Sequence, residues 1–353
     1  MAVQLKIAYI LPSLDSKAPI FIAKKLSDFF VANGCFVKVF YFDAIEKVTF
    51  NCSMERINVN QPIDFDYFDI VHSHMFKPDK YISKFSNKIK KAKTVSTLHC
   101  NISEDLSYSY GKMISLFYSK IWIAYLKKFD SVVQINNYLI DEYKGRLPQS
   151  TLIYNGITLS EIEDDYSEII EAINVFKNKN LSVLCSYSGI VKRKGLKQIL
   201  ELLTLRKDLA YVCIGDGEQK KEFISFCEAM GIKDRVFFSS FKKNPYNVMK
   251  YADIFVIPSY SEGFSLAFLE AGLIGSSVVC SDIPAFSIPF TKEETSFFKI
   301  DNISSLSNAV DEALLYKNQK KEALYNKIQS CFTENIMLKK YKDLYLKLIN
   351  STY

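Results

Sequence analysis

Residues 254–284 read IFVIPSYSEGFSLAFLEAGLIGSSVVCSDIP, and their order settles the class of fold. An apolar, β-branched run ends at Pro258, a polar turn carrying Gly263 follows, an apolar helical stretch extends from about Ser265 through Glu270 to Ile274, and a second apolar run begins at Val278. Strand, turn, helix, strand is the repeat of a parallel sheet covered by helices. The same alternation continues outward. Strand candidates in the first half are 5–11, 36–42, 69–73, 94–99, 131–135 and 151–154; in the second they are 182–188, 210–215, 236–239, 254–258, 278–281 and 297–300. Each set of six builds one doubly wound α/β domain, and two such domains suit 353 residues at roughly 150 per domain.

A charged, weakly hydrophobic stretch, residues 160–180, opens with Glu161, Glu163, Asp164 and Asp165 and is the expected boundary. The first domain then covers 1–160 and the second 161–335. A closing segment, 336–353, carries Leu338, Tyr341, Leu344, Tyr345 and Leu348 at helical spacing with Lys339, Lys340 and Lys347 between them. It is expected to form a helix that packs back on the first domain. Two Rossmann-like domains facing across a cleft would bind ligands at the carboxyl ends of their strands.

Composition removes several classes. With 48% apolar and 24% charged residues the chain is neither disordered nor fibrous. The best apolar run, 113–126, is short and interrupted by Lys120, so no segment is expected to span a membrane. Lys6 and Pro12 at the N-terminus read as an opening strand and not as a signal peptide. The eight cysteines are scattered with no C-x-x-C pair, which fits a reduced, cytoplasmic chain. The net charge of +6 lies entirely in residues 1–160, which hold 20 basic and 14 acidic residues, and all three histidines lie there too.

The turn before the helix at 265 aims backbone N–H groups and a helix N-terminus at one place, an arrangement suited to phosphate. Glu262 sits on that turn and Glu270 in the helix, where Leu266, Ala267, Phe268, Leu269 and Ala271 make a solvated face a poor description. The plain alternative is one turn acid and one surface acid. No G-x-G-x-x-G follows any strand, which disposes of a dinucleotide-binding enzyme.

The stretch resembles the E-x7-E signature of the family-four retaining glycosyltransferases, with Glu262 and Glu270 as the two acids. Residues 153–157, IYNGI, resemble the asparagine–glycine segment that ends the family's first domain; Lys192-Arg193-Lys194-Gly195 resembles its phosphate-gripping loop; Ile214-Gly215-Asp216-Gly217 resembles its second-domain glycine turn; and Lys243-Asn244-Pro245-Tyr246 with Tyr251-Ala252-Asp253-Ile254 matches the approach to the signature. The resemblance implies the GT-B fold, a nucleotide sugar held by the second domain and an acceptor held by the first. By similarity Glu262 contacts the donor sugar, Glu270 the ribose, and the Gly263–Phe264–Ser265 backbone the diphosphate. Arg193 and Lys194 are the cations for the departing diphosphate, and Asn155 and Asn244 belong to the substrate-binding set. Two departures stand out: Ser188-Gly189-Ile190-Val191 replaces the family's glycine–arginine–leucine, and the first βα turn, residues 12–19, lacks the usual two glycines.

His72 and His74 share a face at one strand end and His99 ends the next strand. Three imidazoles raise the question of zinc, but no cysteine or acid completes a familiar spacing, and hydrogen-bonded strand ends are the simpler reading. The family offers a third, in which a histidine at the strand end faces the donor sugar; His99 fits it, and His74 is the weaker candidate for the same place. Lys77, Lys80, Lys84, Lys88, Lys90, Lys91 and Lys93 stand within seventeen residues opposed only by Asp79. They read as a solvated helix face or as a dock for anionic membrane; nucleic acid is the poorer partner because stacking aromatics and binding motifs are absent. Residues 106–129, rich in Tyr, Phe and Ile with Trp122, read as a core helix or an interfacial one.

The expectation is therefore a retaining, metal-independent transferase that needs no cofactor and moves a sugar from a UDP- or GDP-linked donor to a glycan acceptor, lipid-linked as in O-antigen or capsule assembly. It would work in the cytoplasm or at the inner face of the cell membrane, by front-face transfer, with Glu262 and His99 positioning the sugar. A nucleotide-sugar epimerase or phosphorylase on the same fold, or a non-catalytic nucleotide-sugar-binding subunit, are the competing readings.

Overall fold

The computed structural model describes residues 4–160 and 164–351; Glu161 and Glu163 lie outside the described residues. The chain divides into two units, Met1–Gly156 with Glu334–Tyr353, and Ile157–Thr333. The C-terminal helix, Glu334–Asn350, is thus part of the first unit.

The first unit is built on a parallel sheet of β1 (Lys6–Leu11), β2 (Phe36–Tyr41), β3 (Ser53–Arg56), β4 (Ile70–His74), β5 (Lys93–Leu98), β6 (Ser131–Gln134) and β7 (Ser150–Leu152), in the order β3-β2-β1-β4-β5-β6-β7. Six of these are the expected strands, and β3 is an addition. All four residues of β3, SMER, are exposed. An edge strand of this kind pairs through its backbone and buries no side-chain face, so it leaves no hydrophobic pattern to read.

The second unit holds β8 (Ser182–Tyr187), β9 (Leu209–Ile214), β10 (Val236–Ser239), β11 (Ile254–Ile257), β12 (Ser277–Ser281) and β13 (Ser296–Phe298), in the order β10-β9-β8-β11-β12-β13 and again all parallel. Strands such as β9 and β11 are buried at every position because helices cover both sheet faces, which explains continuous apolar runs in place of alternation. The stretch read as a charged boundary contributes a helix, Ser167–Asn178, that buries Ile169, Ile173 and Phe176 along one stripe.

Both sheets reverse their order next to the first strand of the unit, between β1 and β4 and between β8 and β11. In open α/β sheets ligands bind outside the carboxyl ends of strands at such a reversal. Residues 106–129 are two helices, Ile102–Tyr110 and Lys112–Leu126, broken at Gly111, whose φ of 87° is left-handed. The lysine run likewise forms no single helix face. It is split between a helix, Phe76–Lys84, a 3₁₀ turn, Ser86–Lys88, and the start of β5, with Lys77 paired to Asp43 at 2.5 Å and Lys84 bonded to Asn60 at 2.9 Å.

Candidate active site

At the β8/β11 reversal of the second unit, the chain leaving β11 turns at Pro258 and reaches Glu262, which is buried. Lys194 Nζ lies 2.6 Å from Glu262 Oε1, Ser259 Oγ donates to the same oxygen at 2.8 Å, and Arg193 Nη1 stands 3.7 Å from Oε2. Burial alone would push the Glu262 carboxyl up, but the Lys194 ammonium and then the Arg193 guanidinium outweigh it and hold the group below its ordinary value. Glu262 is therefore a buried carboxylate at neutral pH.

The Lys192–Lys194 turn is stapled to the turn that carries the acid. Arg193 Nη1 donates to Ser261 O at 2.8 Å, and Tyr260 N donates to Arg193 O at 2.9 Å. Gly195 follows in the left-handed region at φ 63°, and a Cβ there would lie 2.1 Å from Pro258 O. Only glycine meets both demands, which gives the lysine–glycine pair a physical reason. Gln198 locks the joint: its Nε2 donates to Pro258 O at 3.0 Å and its Oε1 accepts from Asp301 N at 2.8 Å.

The Leu266–Leu273 helix begins immediately beyond, capped by Ser265, whose side chain accepts from Phe268 N at 3.4 Å. Ser265, Glu262, Lys194 and the ends of β8 and β11 line one small concavity together with Tyr187, Ser188 and Pro258. The Phe264 ring is buried among Phe290 and Phe332, so only its backbone can face a ligand. Glu270 stands on the second turn of the helix, close enough that its charge, after burial, raises the hydroxyl pKa values of Tyr187 and Tyr246. Asn244 occupies a separate element, the turn before the Tyr246–Met249 helix; its φ is 47°, and its carbonyl accepts from Tyr166 Oη at 3.0 Å.

In the first unit, His74 ends β4 at the β1/β4 reversal and His99 follows β5. His74 Nδ1 and His99 Nε2 are 2.8 Å apart and the rings stack at 5.1 Å, whereas His74 Nε2 is buried with no hydrogen-bond partner. Burial holds His99 down at about 3, and burial followed by the charges of its two neighbours drives His74 well below its ordinary value. Both rings are neutral, so one of the facing nitrogens carries the hydrogen and the other accepts. His72 is a core residue: Nδ1 is 2.5 Å from Tyr345 Oη and Nε2 is 2.8 Å from Thr97 Oγ1, which in turn meets Tyr341 Oη at 2.9 Å. Among the described residues no group of three or more His, Cys, Asp or Glu is placed to hold a metal ion. Asn155, one residue short of the Gly156 end of the first unit's main segment, is buried with its Oδ1 unbonded.

Sequence reasoning missed Ser259 and Gln198. Ser259 lay inside the quoted turn, yet nothing in its spacing ties it to Glu262. Gln198 offered one signal, an amide on an otherwise apolar helix surface, and its partners are 60 and 103 residues away.

Residues 168–330 match the family glycosyl transferases group 1. The O-antigen biosynthesis glycosyltransferase WclY of Escherichia coli is 29% identical over 98% of this chain and 99% of its own length. The UDP-Gal:alpha-D-GlcNAc-diphosphoundecaprenol alpha-1,3-galactosyltransferase of E. coli is 30% identical over 44% of this chain and 41% of its own length. Among solved structures, sucrose-phosphate synthase from Thermosynechococcus elongatus superposes with a TM-score of 0.82 at 15% identity, covering 99% of this chain and all of that one. The likeness shows the fold, two Rossmann-like parallel-sheet units of the GT-B type.

Proposed function

We propose that this chain, a glycosyltransferase whose residues 168–330 form a group 1 domain, moves a sugar from a nucleoside-diphosphate donor to a lipid-linked glycan with retention of configuration. The observation that carries the reading is the buried Glu262 carboxylate held between Lys194 and Arg193 at the β8/β11 reversal, beside the Ser265 helix start. Breaking a glycosyl–phosphate bond leaves charge on the phosphate oxygens, and fixed cations with a helix N-terminus stabilise that charge without reorganising. Lys194 and Arg193 fill that role toward a donor diphosphate. Glu262 then keeps both cations in place and faces the sugar, and Glu270 takes the ribose hydroxyls.

In this proposal the anomeric C–O bond to phosphate breaks while the acceptor hydroxyl oxygen bonds the same face of the sugar. The hydroxyl proton passes to the departing phosphate oxygen, so neither carboxylate serves as nucleophile and no metal is required. His99 and His74 of the first unit, both neutral, suit hydrogen bonding to uncharged sugar hydroxyls. The names of the relatives, one for O-antigen synthesis and one for a diphosphoundecaprenol acceptor, support a lipid-linked acceptor in surface polysaccharide assembly. Contact of the first unit with an anionic membrane belongs to the same reading.

The test is a thermal-unfolding screen with UDP, GDP and their sugars, followed by donor turnover with and without acceptor. A ligand of the site at 100 times its dissociation constant stabilises by about 2.7 kcal/mol. Nucleotide stabilisation without turnover of any donor would identify a binding subunit, and a glycosyl group trapped on Glu262 or Glu270 would overturn front-face transfer.

A further inference from the structure

We propose that the helical hairpin Ile102–Tyr110 and Lys112–Leu126 of the first unit is a membrane-insertion element that seats the chain on an anionic lipid surface. The proposal rests on the reading of the acceptor as lipid-linked for its purpose, though not for its test.

The second helix is inverted over its first two turns. Met113 is 86% exposed, Leu116 67% and Phe117 62%, and Tyr110 at the end of the first helix is 64% exposed, whereas Ser115 and Ser119 are buried. A helix at the surface of a water-soluble fold turns its apolar stripe inward. Here the inward positions hold hydroxyls and the outward positions hold large apolar groups. Farther along the same helix the ordinary pattern returns, with Trp122, Ile123 and Leu126 buried. The inversion is therefore local to the tip.

The tip is held in this arrangement. Ser115 Oγ donates to Ser103 O at 2.6 Å, joining the two helices. Trp122 Nε1 donates to the buried Asp79 Oδ2 at 2.7 Å, and Phe76 packs its ring against Tyr118 and Trp122. The apolar side chains cannot turn inward without breaking these bonds.

Charge identifies the occupant. No Asp or Glu occurs between Asp105 and Asp130, while Lys112 and Lys120 on the second helix and Lys127 just past its end are exposed, as is Lys128, whose Nζ donates to Ser83 O at 3.1 Å. An apolar face flanked by lysines matches acyl chains beneath anionic headgroups. A second copy of this chain fits worse, since an isologous contact through this face would bring together the lysines of two copies with no acid between Asp105 and Asp130 to offset them. No helix among the described residues is long and apolar enough to cross a membrane, so the hairpin lies in the interface.

The test is co-sedimentation of the full chain with vesicles of phosphatidylglycerol and, separately, of phosphatidylcholine, at low and high salt. The expected result is binding to phosphatidylglycerol that weakens with salt and is at least ~10-fold weaker on phosphatidylcholine. Met113→Asp with Phe117→Asp should lower binding by more than ~10-fold, and Lys112→Ser or Lys120→Ser by roughly 5-fold each. Unchanged thermal unfolding and unchanged UDP or GDP binding in these variants exclude misfolding. The proposal is overturned if the wild-type chain ignores phosphatidylglycerol, if the double aspartate variant binds as well as wild type, or if that variant only converts a dimer to a monomer on gel filtration. Loss of nucleotide binding with vesicle binding intact would instead sink the transferase-site reading and leave this one standing.

Discussion

The two sheets reverse strand order at equivalent places, yet the side chains set there differ in charge. At the β8/β11 reversal, Lys194 and Arg193 stand against an ionised Glu262. At the β1/β4 reversal, His74 and its partner His99 are kept neutral by burial. The scaffold supplies the position in both cases, and the residues at the strand ends make one site charged and the other neutral. A charged cluster suits an anionic diphosphate, whereas a neutral imidazole pair suits uncharged hydroxyls and would repel no sugar.

Four measurements break or sharpen that contrast. Lys194→Ala removes a cation and strands Glu262, so kcat/KM for the donor should fall by ~10²–10³, the loss seen when one preorganised donor is removed from a charge-stabilising site. Added magnesium should not restore it. Glu270→Ala should weaken nucleotide affinity by about 10–100-fold, one charge-assisted hydrogen bond or a little more, measured by titration calorimetry, while Glu262→Ala should leave affinity largely intact and reduce turnover. If both variants transfer sugar normally, the assignment of the second unit's cluster is wrong.

On the neutral side, His74→Phe should lower turnover severalfold without changing nucleotide affinity, because His99 loses the group that fixes its tautomer. His74→Asn, which keeps a donor and an acceptor, should recover part of the loss, a rescue that a merely structural role would not give. The last effect is on stability and not on transfer. Burial, followed by the charge of His99, holds His72 at about 3 in the folded chain, against about 6.5 when unfolded. The unfolded chain therefore binds more protons between those values, and stability is lost as pH falls below about 6.5, by up to ~1.4 kcal/mol per pH unit for this one group. Urea midpoints at pH 7 and pH 5 check the sign.

Asp79 shows why part of the molecule was illegible in one dimension. In the sequence it is the lone acid among seven lysines, in a run that reads as a solvated face or a membrane dock. In the structure it is buried, accepting from Ser73, Ser96 and Trp122, and its carboxyl is pushed up to about 7, by burial against the pull of those three donors. The donors come from β4, β5 and a helix more than forty residues away, and no local pattern announces such a convergence. The edge strand β3 was invisible for a different reason, since its side chains bury nothing. By contrast, Glu262 was legible on the turn that follows β11 and Glu270 as a lone acid among apolar helix residues, whereas Lys194 and Gly195 were picked out by their resemblance to a family loop.

The sequence by itself determined the α/β alternation and all six strands of the second unit through local periodicity, and it pointed to Glu262 and Glu270 by their turn and helix setting, while the lysine–glycine pair was singled out by family resemblance. Only the tertiary structure decided that the cations of the Lys192–Lys194 turn close on Glu262, that Tyr341 and Tyr345 of the last helix seal His72 into the first unit's core, and that the Lys112–Leu126 helix wears its apolar face outward. The physical reason is common to all three. Each depends on which groups meet across long sequence separations, and a side chain's charge state, hydrogen-bond partner and exposure are properties of that meeting and not of the residue.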